Sequence, residues 1–66
     1  MVITLNGERR EIGLDATVRQ LLDEFGFKPE ATAVQRNADI LNRAAYADTV
    51  LAEGDVVEFV RFVGGG

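Results

Sequence analysis

Sixty-six residues with eleven acidic and seven basic side chains, a net charge of −4, admit one small domain with a modest core. Cysteine and histidine are both absent, which excludes disulfides, thiolate metal sites and imidazole general bases. Arg9-Arg10 is the only basic doublet, which argues against nucleic-acid binding, while 47% hydrophobic residues argue for a folded globule. In chain order, residues 1–6 alternate, with Met1, Ile3 and Leu5 on one face and Val2, Thr4 and Asn6 on the other, the pattern of a half-buried strand. Asn6-Gly7 is the favoured pair for a two-residue type I′ hairpin turn. Residues 8–12 return as a charged edge strand whose only apolar residue is Ile12.

Thr17 with Gln20 three residues on predicts a capping box. Val18, Leu21, Leu22 and Phe25 follow at helical spacing, and Gly26 is the expected stop. So short a helix must lie on a sheet. Asp23 and Glu24, near its C-terminal end, read as solvated charges.

Pro29 punctuates a loop. Residues 32–36 predict a third strand with Thr32, Val34 and Arg36 on one face, and Asn37-Ala38-Asp39 a turn. Ile40-Leu41 reads as a short fourth strand, Tyr46 as an anchor in irregular chain, and Val50 and Leu51 as further apolar contacts. Glu53-Gly54-Asp55 turns into the last and longest strand, 56–63. The order predicts an α+β domain, residues 1–63, with one mixed sheet of four to five strands packed on one main helix.

The sequence then ends in Gly64-Gly65-Gly66. Three glycines carry no Cβ, extend roughly 10 Å, and suit a flexible tether for a carboxylate on Gly66. Terminal glycines can equally be an inert end or a linker. No apolar run reaches the roughly 18 residues of a membrane span, and no signal peptide precedes the first strand. The expected setting is therefore the reducing cytoplasm, away from membranes.

Together these pieces resemble the ThiS family, the ubiquitin-like β-grasp sulfur carriers of bacterial thiamin biosynthesis. The likeness rests on the opening strand with Gly7, Asp15-Ala16-Thr17-Val18 before Leu21-Leu22, and Ala33-Val34-Gln35-Arg36-Asn37. It continues through Gly54-Asp55-Val56-Val57-Glu58-Phe59-Val60 and ends at Val63-Gly64-Gly65-Gly66. The family often has Gly after the Asn of the third-strand turn and Pro before the following Arg; here Ala38 and Asn42 stand there.

The resemblance implies that the chain is a protein co-substrate rather than an enzyme. Gly66 would be its reactive site, with Gly64 and Gly65 giving access to a narrow channel. A ubiquitin-activating-like, ThiF-type adenylyltransferase would use ATP and magnesium to adenylate the Gly66 carboxylate. A persulfide donor would convert it to a thiocarboxylate, and a ThiG-type thiazole synthase would receive the sulfur. This chain itself would bind no cofactor or metal, and would be a monomer when free.

If Val57 and Phe59 face the helix, strand alternation turns Val60 and Phe62 outward. Val2 and Thr4 share that face if the first and last strands are neighbours. These four residues are the expected docking surface, whereas Arg61, on the opposite parity, is expected to be solvated, with an acid pair or a partner contact as its alternatives. Alternatives are a carrier of the same fold for molybdopterin, cysteine or tRNA thiolation, protein conjugation, or a β-grasp interaction domain with inert glycines.

Overall fold

The structure, a computed structural model, describes residues 1–62. Strand β1, Val2–Leu5, pairs antiparallel with β2, Glu8–Glu11. The turn between them has φ 49° at Asn6 and 80° at Gly7, the two positive angles that a type I′ turn requires. All four β2 residues are exposed, so this edge is covered by charge.

Helix α1, Val18–Glu24, starts at the predicted capping box: Thr17 Oγ1 accepts from Gln20 N–H at 3.1 Å, and Gln20 Oε1 accepts from Thr17 N–H at 3.0 Å. The next loop satisfies the remaining first-turn donors. Val18 N–H donates to Thr49 C=O and Arg19 N–H to Tyr46 C=O, each at 3.0 Å. At the other end Gly26, at φ 78°, closes a Schellman motif, with Gly26 N–H on Asp23 C=O at 3.3 Å and Phe27 N–H on Leu22 C=O at 2.8 Å. Asp23 is exposed as expected, but it pairs with Arg19 one turn back at 3.3 Å.

The Pro29 loop contains a 3-10 turn, Pro29–Ala31, before β3, Thr32–Arg36. The fourth strand, β4, is Asp39–Ile40, one residue earlier than expected. A two-residue turn at Asn37-Ala38 pairs Arg36 with Asp39 and sets that register. Asn42 caps a second 3-10 turn, Arg43–Ala45, accepting from Ala44 N–H at 2.9 Å. Tyr46 is the anchor: its buried hydroxyl donates to Thr32 C=O at 2.8 Å. Leu51 is buried, whereas Val50 is half exposed and contributes a backbone bridge to Thr17 instead of a core contact.

Strand β5, Val56–Arg61, lies at the centre of the sheet order β2-β1-β5-β3-β4, parallel to β1 and antiparallel to β3. Ile3, Leu5, Val34, Val57 and Phe59 meet Val18, Leu21 and Leu22 of α1 in one core. Each such side chain contributes about 1.5–3 kcal/mol on burial, so a seven-residue helix without strong intrinsic stability is held by the sheet beneath it. The opposite sheet face is not covered by the helix. The strand expected over 56–63 ends at Arg61, because Phe62 N–H turns to Ala31 C=O just before β3, beyond the last β3 pair at Thr32; Val63 and the tail at 64–66 lie outside the described residues.

Candidate functional site

The two ends of β5 are fixed by different side chains. At its start, the buried Asp55 carboxylate accepts from Arg36 Nε at 2.9 Å, Ala52 N–H at 2.8 Å and Asn37 Nδ2 at 3.1 Å. Burial pushes the Asp55 carboxyl up, but the bonds from Ala52, Asn37 and Arg36, together with the Arg36 charge, outweigh it and hold the group below its ordinary value.

Further along, β1 has turned away and a side chain takes its place. Asn6 Oδ1 accepts from Phe59 N–H at 2.7 Å, and Asn6 Nδ2 donates to Phe59 C=O at 3.2 Å. The strand is thereby held on both sides as it approaches residue 62. Phe62 N–H donates to Ala31 C=O at 2.9 Å, so its backbone is fixed while its ring is 61% exposed. The last described residue thus leads from a rigid strand into the segment that carries the three glycines, so the reactive and access calls at Gly64, Gly65 and Gly66 lie outside the described residues.

Val57 and Phe59 are buried under α1, and Val56, Val60 and Phe62 are exposed on the other face. Ile40 joins them there through its pairing with Gln35, which is itself opposite Glu58. Val2 and Thr4 lie on the same face, but Thr4 is level with Val56 and Val2 with Gly54. Phe62 lies six residues beyond Val56, about 20 Å along the chain, and Val2 is farther still. The four expected docking residues therefore share a face and fall into two groups at opposite ends of β5.

Arg61 is not simply solvated. Its guanidinium carbon sits 4.2 Å from the centre of the Phe27 ring, and it makes a long hydrogen bond of 3.5 Å to Gly26 C=O. The Phe27 ring meets Phe59 edge-on at 5.2 Å. Sequence pattern does not single out Lys28, and it marks Asn6 only as a turn residue; the shared parity of Arg61 with Phe59 is the signal that it leans toward the helix side. Among the described residues no three carboxylates converge as a metal-binding group, and no helix is long and apolar enough to cross a membrane.

The sequence model of the ThiS family matches residues 3–66. The chain belongs to the ThiS family. Over its whole length it is 35% identical to the crystal structure of the thiamine biosynthesis protein ThiS from Geobacter metallireducens, with a TM-score of 0.84 and all of both chains covered. With that likeness, the sheet order and single crossing helix are the ubiquitin-like β-grasp expected from the sequence. The ThiS-family relative in Bacillus subtilis, named as a sulfur carrier protein, is 33% identical across 98% of this chain and all of its own length. A thiazole synthase from Magnetococcus marinus is 44% identical over the whole of this chain. The chain spans only a fifth of the length of the thiazole synthases that it matches.

Proposed function

We propose that this chain is a sulfur carrier of thiamin biosynthesis whose cargo rides on the carboxyl of Gly66. The observation that carries the reading is the family match through residue 66, which takes in the glycine run together with the fold. A carboxylate is a poor electrophile at neutral pH, so it needs activation before sulfur can be attached. A ubiquitin-activating-like partner supplies that with ATP and magnesium, releasing pyrophosphate and leaving an acyl-adenylate on Gly66. The terminal sulfur of a persulfide donor displaces AMP. Reduction of the resulting acyl disulfide by a thiol leaves the thiocarboxylate.

Thiazole synthase is the proposed acceptor. Its support is that two relatives named thiazole synthase contain a stretch similar to this entire chain within a longer polypeptide. In this scheme the chain is a co-substrate and its partners hold the catalytic groups. Gly65 and Gly66 satisfy a close backbone approach in a narrow channel, and Gly64 adds reach. The exposed Val60 and Phe62 are the docking contacts nearest the tail, with Val2 and Thr4 as a second, more distant group.

The test is intact-mass measurement after incubation with the cognate activating enzyme, ATP and a sulfur donor. Exchange of one terminal oxygen for sulfur on Gly66 is expected. Deleting Gly66 or adding one residue after it abolishes the change. An unmodified mass alongside a demonstrably active partner overturns the reading, and delivery of the sulfur to a different acceptor reassigns the pathway.

A further inference from the structure

Beside Phe62 lies a cleft of about 300 Å³ lined by Gly26, Lys28, Ala31, Thr32, Arg61 and Phe62. Two of these side chains are cations and none is an acid, a local reversal of sign in a chain of net charge −4. Among the described residues neither Lys28 nor Arg61 has an ion-pair partner.

We propose that this cleft is a carboxylate-binding pocket, in which Arg61 and Lys28 receive an acidic side chain of the protein that handles Gly66. Arg61 is held ready for such a ligand. One face of its guanidinium lies on Phe27, whose position is set by the helix-ending turn and by the edge-on contact with Phe59. A guanidinium has five donors, and only one long bond, to Gly26 C=O, is made within the chain. A planar fork fixed on an aromatic ring fits a carboxylate and loses little freedom on binding it. Lys28 adds a second, mobile charge on a fixed backbone: its C=O accepts from Ala31 N–H at 3.0 Å and from Thr32 Oγ1 at 2.7 Å.

The same hydrogen bonds decide the kind of anion. The N–H groups of Gly26, Ala31, Thr32 and Phe62 are all bonded within the chain. They leave no cradle of main-chain donors such as a phosphate finds in a glycine-rich loop. What the cleft offers is one fork, one ammonium and the apolar walls of Ala31 and Phe62, which suits a planar carboxylate on a short side chain. An acid seated there places the partner's surface against Phe62, four residues before Gly66. The identity of the partner rests on the carrier reading; the ligand chemistry of the pocket does not.

The test is an NMR titration of the full 15N-labelled chain with a diglutamyl peptide blocked at both ends, its diglutaminyl analogue, and inorganic phosphate. Saturable shifts are expected for the amides of Lys28, Arg61 and Phe62 and for Arg61 Nε–H, with the diglutamyl peptide alone. Arg61→Gln and Lys28→Gln each weaken binding roughly fivefold, the effect of losing one exposed charge contact. Both side chains are exposed, so both variants fold, and unchanged amide spectra for β1 to β3 verify it. Arg61→Lys keeps the charge but loses the stacked fork, and it binds between the two. Equal shifts with the diglutaminyl peptide, tighter binding of phosphate, or unaltered binding in both Gln variants overturns the proposal. The titration needs neither partner nor reaction at Gly66, so its failure is distinct from a failure of the carrier reading, which is decided by mass.

Discussion

Asn6 brackets the backbone of Phe59, accepting its N–H at 2.7 Å and donating to its C=O at 3.2 Å. The backbone at Asn6 has already turned at φ 49° toward β2, so its side-chain amide replaces the main-chain bonds that a continued β1 would have made to Phe59. Asn6→Gly keeps the positive φ and removes only the amide. Two net hydrogen bonds predict a loss of about 1–3 kcal/mol in urea unfolding, with faster hydrogen exchange at Phe59 N–H. Wild-type stability and exchange in the variant would rule out this role.

Ala38 predicts a change of opposite sign. It occupies the second position of the β3–β4 turn at φ 73°, where its Cβ is unfavourable. Ala38→Gly relieves that strain, partly offset by the greater freedom of glycine in the unfolded chain. The expected gain is about 0.5–1 kcal/mol, or a rise in Tm of a few degrees for a domain of this size. A lower Tm means that the turn is not strained at Ala38.

What sequence reveals here is mostly local. The Asn6-Gly7 turn, the Thr17–Gln20 box and the Gly26 stop each depend on residues within one turn of chain, and each forms. The outward facing of Val60 and Phe62 follows from strand alternation once Phe59 is in the core. The Asn6–Phe59 bracket, the Arg61–Phe27 stack and the distance of Val2 from Phe62 depend on strand register between residues far apart in sequence. No local pattern encodes that register.

Asp55 makes stability depend on acid. Its folded carboxyl titrates below the unfolded value of about 3.9. In that window the unfolded state binds more protons, so stability rises with pH. The contribution is fully present above the unfolded value and is lost as pH falls through the folded one. Asp55→Asn is expected to be less stable at pH 7, because the Arg36 charge loses its partner, and to have a flatter acid limb. Urea midpoints followed from neutral pH into the acid range check this. Parallel curves for wild type and variant would assign the acid dependence to other groups.

The exposed end of the sheet should separate docking from folding. Phe62 is 61% exposed and Val60 54%, so truncating either to Ala is expected to change stability by no more than about 0.5 kcal/mol. As docking contacts, both variants raise KM for this chain in the activating reaction, with roughly a tenfold rise for Phe62→Ala, the effect of losing an aromatic anchor. The kcat changes little, because these side chains bind before and during the chemical step alike. Thr4→Ala is the internal comparison. It lies on the same face but near Val56, far from the residue that leads into the glycines. A larger effect at Phe62 than at Thr4 places the partner's footprint at the tail end. Equal effects require a partner surface spanning about 20 Å of the sheet, and no effect at Phe62 or Val60 removes this face from the encounter.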